Sequence, residues 1–377
     1  MTSNRSVALK PVLGGRDKVR ICIAQISPAY MDRTQTIDRA CKAIADAAAE
    51  RADLIVFPEA WVAGYPYWSE GWDSDLPIWS EGRQWFFDAA LMVPSEDSER
   101  IATALNSANI YGVIGCNEID ARPGVNTIYN SLLFYDRDGT LMGRHRKLLP
   151  TFSEQLFWGR GDVSDLAVYE TDIGNIGGLI CGENLVTPLR GAMIGMGEDF
   201  HIAVFPGSFS LHTGPQLEEW DDTGSFWGHT SARNHSLEAG CFTIAVSATL
   251  DPDDVPEDFP YREKMNINYS RGGSQIVSPL GIPLIGPVEG NQLIYADCHA
   301  EMIKAFKAIC DTMGHYSRPD VAQVMIRSAS GWRPAGEAYR SGPELKKPMD
   351  IRRASDRYEV DEDVVREIAD DAGIHQS

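Results

Sequence analysis

The strongest constraint on the fold is a strand–helix–strand unit near the start of the chain. Residues 19–26 (VRICIAQI) form a β-branched apolar run that reads as a buried strand. Residues 35–51 then place Ile37, Ala40, Cys41, Ile44, Ala47 and Ala48 on one helical face. Residues 53–57 (DLIVF) supply a second strand, ended by Pro58 and Glu59. Two short apolar strands joined by one amphipathic helix belong side by side and parallel, which places the chain in the α/β class.

The rhythm continues downstream. Residues 95–108 read as a helix and 111–119 as a strand; 128–135 and 141–149 read as a hairpin about Asp136-Arg137-Asp138-Gly139. Further strands are expected at 166–171, 176–181, 201–206, 241–248, 274–277, 293–296 and 321–326, and helices at 223–239 and 300–311. Two segments break the pattern. Residues 60–81 are rich in aromatics (Trp61, Tyr65, Tyr67, Trp68, Trp72, Trp79), Gly and Pro; they read as a long loop, either a pocket wall or subunit contact, or a loop packed on the core. Residues 251–263 (DPDDVPEDFPYRE) read as an exposed acidic loop. With 43% hydrophobic content the chain can bury a sizeable core, and sheets inside with helices outside is the expected arrangement. The expected division is an extension over 1–18, one domain over 19–330, and a charged tail over 331–377 suited to subunit contacts. There is no internal repeat in the sequence.

Charge and cysteine usage narrow the function. A net charge of -20 argues against nucleic acid or an anionic membrane as partner. Seven cysteines without paired spacing, and no secretory leader, suit a reducing, cytoplasmic setting. Cys298-His299 with Cys310 is too sparse for a metal site, and no cofactor is expected.

One stretch carries chemistry. Residues 175–190 (NIGGLICGENLVTPLR) read as a strand that ends at Cys181, then a helix over about 184–196. A thiol at such an elbow faces the first N–H groups of a helix, which favours thiolate. A lone cysteine is as readily a structural one. The decision comes from two other strand ends, Glu59 in FPEAW and Lys147 in GRHRKLLPT. Ionisable residues just past strand ends are where α/β sheets place their sites.

Together these residues resemble the Glu–Lys–Cys triad of the nitrilase, or carbon-nitrogen hydrolase, superfamily. The resemblance spans about 19–320. RKLLPTFSEQLFWGRGD (146–162) is similar to the Pro-Thr-x-x-Glu and Trp-Gly-x-Gly-Asp pattern of the nitrilase branch, and GHYSRPD (314–320) to another of its signatures. By that match Glu154 is the supporting glutamate. The resemblance implies a four-layer α-β-β-α sandwich, a homo-oligomer from dimer to spiral, and hydrolysis of a small-molecule nitrile to acid and ammonia through a thioimidate and a thioester. An amidase or another carbon-nitrogen hydrolase would use the same triad, and a catalytically silent scaffold would keep the fold alone. One departure stands out: nitrilases usually carry Trp after the cysteine, and this chain has Gly182. Gly182, with Trp61 and Tyr65, is the expected substrate pocket.

The residue types suit the chemistry. A nitrile carbon is a weak electrophile and calls for sulfur as nucleophile. Glu59 can take the thiol proton and later activate water, if burial or negative neighbours lift its pKa. Lys147 can hold the charge that develops on nitrogen.

Overall fold

The structure is a computed structural model, and it describes residues 11–68, 76–207, 227–265, 271–328 and 331–334. The elements are β1 (Lys18–Gln25), α1 (Arg33–Ala49), β2 (Leu54–Val56), α2 (Leu76–Ala89), β3 (Leu91–Met92), α3 (Glu96–Ala108), β4 (Tyr111–Ile119), β5 (Ile128–Tyr135) and β6 (Leu141–Arg146). Then come β7 (Val168–Thr171), β8 (Gly174–Ile180), α4 (Thr187–Met196), β9 (Phe200–Phe205), α5 (Trp227–Ala239) and β10 (Phe242–Ser247). The last are β11 (Gly272–Val277), β12 (Pro283–Glu289), β13 (Gln292–His299), α6 (Ala300–Ile309), β14 (Met325–Ser328) and β15 (Gly331–Pro334).

Two sheets stack face to face. The first, of seven strands, runs β13-β1-β2-β4-β5-β6 with β3 beside β4, and the second, of six, runs β12-β11-β10-β9-β8-β7. Side-chain alternation along each strand builds the layers. Ile21, Ile23, Leu54, Val56, Val113, Leu132 and Phe134 point from the first sheet toward Ile176, Ile180, Ile202, Val204 and Ile244 of the second. Their strand neighbours Cys22, Ala24, Ile55, Ile114 and Leu133 point outward, onto Ile37, Ala40 and Ile44 of α1 and Ile101 and Leu105 of α3. On the far side Leu179 meets Ala192, Met193 and Met196 of α4. This is the α-β-β-α sandwich.

Local signals set the helix starts. Asp32 caps α1 by accepting from the Gln35 N–H, and Ser95 and Ser98 cap α3 reciprocally.

Several expectations need correction. Part of the aromatic stretch is helical, since α2 begins at Leu76; its indoles gave no apolar stripe to read. The acidic segment is not simply an exposed loop, because Val255, Phe259 and Tyr261 are buried with Tyr30, Trp68 and Phe157 in one aromatic cluster. Strand β12 was missed; its exposed flanks and two prolines hide an edge strand. The last strand begins at Met325 rather than 321, and β15 pairs with it across the expected 330/331 boundary. Leu13, placed in the N-terminal extension by sequence, is fully buried in the inter-sheet core. The tail from 341 lies outside the described residues.

Candidate active site

Glu59, Lys147 and Cys181 converge at one end of the stacked sheets. Glu59 follows β2, where Phe57 continues the sheet by donating to the Val113 carbonyl. Strand β4 passes so close that a Cβ at Gly115 would lie 1.8 Å from the Pro58 oxygen, so only glycine fits there. Lys147 follows β6 and is pinned at both backbone ends, its N–H to the Asn130 carbonyl and its carbonyl to the Gly161 N–H. Cys181 follows β8 with φ +49°, a left-handed conformation that turns the chain sharply at the sulfur.

The Lys147 ammonium is fully buried, 3.0 Å from Glu59 Oε1 and 2.7 Å from Glu154 Oε2. Asn130 donates to Glu59 Oε1 at 2.7 Å. Tyr65 donates to Glu154 Oε1 at 2.9 Å and the Thr151 N–H to its Oε2 at 2.6 Å. The Cys181 sulfur and carboxylate oxygens of Glu59 and Glu154 lie within 4.8 Å of one another. Lys147 thus supplies the positive charge between the two carboxylates. Glu59 Oε2 is buried and has no hydrogen-bond partner among the described residues. A free lone pair on a buried carboxylate, beside a thiol, is a proton acceptor in waiting.

Burial pushes Glu59 up to about 7, with Lys147 opposing and Glu154 adding to the rise. Burial works against the Lys147 charge, but the Glu154 and Glu59 carboxylates outweigh it and hold the ammonium well above its usual value. Burial, with Glu59 and Glu154 nearby, pushes the Cys181 thiol well up despite Lys147. That direction favours a resting thiol over the thiolate that a helix start would favour. The physical reason is local: Cys181–Leu185 is a 3-10 turn and α4 starts only at Thr187, so no long helix end faces the sulfur.

The pocket residues expected from sequence divide three ways. Tyr65 belongs to the site through Glu154. Trp61 does not: it is buried against Phe57, its ring nitrogen donating to the Ile26 carbonyl on the helix side of the sheet. Among the described residues, a Cβ at Gly182 would have only Thr151 Oγ1 within 4 Å, at 3.2 Å.

Sequence reasoning missed Asn130, although it occupies the phase of β5 that Ile128, Leu132 and Phe134 fill with apolar side chains. A polar residue in that phase was the available signal. It also missed a buried set behind the elbow. Asn184 donates to the Cys181 carbonyl at 3.1 Å, and its own oxygen is 2.9 Å from His201 Nε2. His201 and His235 stack at 3.6 Å and both bond Glu198. His201 Nδ1 and His235 Nε2 both reach Glu198 Oε2, at 3.0 and 2.9 Å, so one buried carboxylate ties the two rings together.

A family model for carbon-nitrogen hydrolases matches residues 20–308. The chain belongs to the carbon-nitrogen hydrolase family. It lies on the nitrilase branch and is a hydrolase acting on carbon-nitrogen bonds. This carbon-nitrogen hydrolase is 35% identical over 315 residues to an aliphatic nitrilase of Sinorhizobium fredii (strain HH103), covering 82% of this chain and 96% of that one. It is 34% identical over 320 residues to nitrilase 2 of Arabidopsis thaliana, covering 82% and 88%. It is also 34% identical to a bifunctional nitrilase/nitrile hydratase of Lupinus angustifolius, covering 82% and 86%. A crystal structure of a branch 10 member of the nitrilase superfamily from Saccharomyces cerevisiae has the same fold: TM-score 0.62, 21% identity, 80% of this chain and 97% of that one.

Proposed function

We propose that this protein is a nitrilase that converts an organic nitrile and two waters to the carboxylic acid and ammonia, with Cys181 as nucleophile. The observation that carries the reading is the cluster itself: the Cys181 sulfur and carboxylate oxygens of Glu59 and Glu154 lie within 4.8 Å of one another, with the buried Lys147 ammonium bonded to both carboxylates. As sulfur attacks the nitrile carbon, Glu59 takes the thiol proton and returns it to nitrogen, giving a neutral thioimidate. Lys147 stabilises the charge that builds on nitrogen during attack. Glu59 then deprotonates a water that adds to the thioimidate carbon. The tetrahedral intermediate breaks its carbon–nitrogen bond with a proton on nitrogen, releasing ammonia and leaving a thioester. A second water, activated the same way, releases the acid and restores the thiol. Glu154, held by Tyr65 and Thr151, fixes the ammonium.

A second outcome starts from the same intermediate. Expulsion of the thiolate instead of ammonia yields the amide, and glycine at 182 together with bifunctional relatives favours testing for it. An amidase would use the same residues on a less demanding bond. Ammonia release from panels of aliphatic, aryl and arylacetonitriles, run against the matching amides, separates these readings; turnover of amides alone would sink the nitrilase proposal.

The substrate partner is a small-molecule nitrile. All seven cysteines are unpaired, which supports a cytoplasmic location. No described helix is long and apolar enough to cross a membrane. A homo-oligomer of at least two subunits is part of the same proposal, and Leu237, Leu280, Ile309 and Met313 are exposed apolar side chains available to such a contact.

A further inference from the structure

Glu183 lies two residues past the nucleophile and touches none of the triad side chains, yet it joins the backbones that carry two of them. Its Oε1 accepts from the Leu148 N–H at 2.7 Å, one residue after Lys147. Its Oε2 accepts from the Ile180 N–H at 2.8 Å, one residue before Cys181. These strands belong to different sheets, β6 to the first and β8 to the second, so one carboxylate spans the gap between them. The same Oε2 is 2.8 Å from His145 Nε2.

The state of His145 follows from its partners. Its Nδ1 lies 2.8 Å from the Asp165 carbonyl, an oxygen that can only accept, so Nδ1 carries a hydrogen. On the other side, both Glu183 oxygens accept from backbone N–H groups, which favours the ionised carboxylate. Nε2 therefore donates as well, and the ring is an imidazolium. Both side chains are buried. The charged groups facing His145 are Glu183 from the elbow and Asp165 from the turn Val163–Asp165. Its β5 neighbour, Leu132, is neutral.

We propose that His145 and Glu183 form a positioning pair that holds Lys147 and Cys181 in register, and that it does so only while His145 is protonated. The unit rests on the triad assignment above. Burial pushes His145 down, but the Glu183 carboxylate outweighs it and leaves the ring above its usual value. Burial pushes Glu183 up, but His145 and the two backbone N–H groups hold it below the usual carboxylate range. A histidine raised on folding contributes stability below its unfolded pKa and loses it as pH rises through the folded one. The pair therefore loosens on the alkaline side. What remains then is a buried carboxylate without its counter-charge.

The test compares wild type, His145→Gln and Glu183→Gln. Three quantities are read for each: kcat and KM for nitrile turnover across pH, alkylation of Cys181 by iodoacetamide, and the melting temperature. His145→Gln should lower kcat by about 100-fold with KM little changed, the scale of an ångström-level misplacement, and slow alkylation. Glu183→Gln sets its NH2 against one of the two backbone N–H groups whichever way the amide turns, so it should lower kcat as well. The alkaline limb set by the ion pair should be lost from both variants. Wild-type kcat in His145→Gln overturns the proposal, as does an alkaline limb in Glu183→Gln unchanged from wild type. Should His145→Gln not fold, Glu183→Gln decides alone, by that limb. Alkylation reads the site without a nitrile, so a wild type that hydrolyses only amides would sink the function while leaving this inference standing.

Discussion

A carboxyl group that takes a proton from a thiol near neutral pH needs a pKa close to 7, and Glu59 reaches about 7 through burial set against Lys147. The Asn130 hydrogen bond lowers it. Asn130→Ala should therefore raise the Glu59 pKa and move the acid limb of kcat/KM from near 7 to higher pH; a limb that stays put or moves down contradicts Glu59 as the base. Cys181→Ala should lose activity by several orders of magnitude with the fold intact, as measured by ammonia release and circular dichroism. Glu59→Gln and Lys147→Arg should each fall near that level rather than add to it, because the three act as one unit. Arginine keeps the charge but not the compact ammonium that fits between two carboxylates 3.0 and 2.7 Å away. Near-wild-type rates in either variant would break the assignment.

At the scale of elements, the site depends on turns more than on helices. The 3-10 turn Cys181–Leu185 sets the direction of the sulfur, and among the described residues a Cβ at its Gly182 would meet only Thr151 Oγ1 within 4 Å. Gly182→Trp should place on the order of 200 Å² of indole surface there. Selectivity across a size series of nitriles should then shift toward smaller members, with a changed ratio of acid to amide. Unchanged selectivity and ratio would show that position 182 does not shape the pocket. Helix α3 offers a plainer check. Ser95→Ala removes its cap and should cost about 1 kcal/mol in denaturant unfolding, without touching kcat.

For the whole molecule, the two sheets repeat one pairing scheme. From β13 to β6 the successive pairings run antiparallel, parallel, parallel, antiparallel, antiparallel, and from β7 to β12 they run the same way. No sequence repeat announces this, since burial demands only apolar side chains in the right phase, not the same ones. Association is the prediction at this scale. Light scattering after size exclusion should give a multiple of 41.6 kDa, and a monomer throughout the micromolar range would rule the oligomer out. Truncation after Pro343 should change assembly size more than the melting temperature.

Much of this was legible in the chain because the signals are local. Period-two alternation in VRICIAQI and DLIVF, and the apolar stripe of α1, follow from covalent geometry, so strand, helix and class could be read from 19–57 alone. The positions of Glu59, Lys147, Glu154 and Cys181 were legible for a different reason: motif spacing matched a family. Their partners were not. Asn130 and the His145–Glu183 pair meet the site from segments far apart in sequence, and a single polar residue in a strand carries no local sign of what it will face. Trp61 and Tyr65 lie four residues apart in the same aromatic stretch, yet one is core and the other bonds Glu154. The protonation states were also beyond the sequence. Composition names the ionisable groups, but burial and neighbours decide their charge, and both exist only once the two sheets have closed over Lys147.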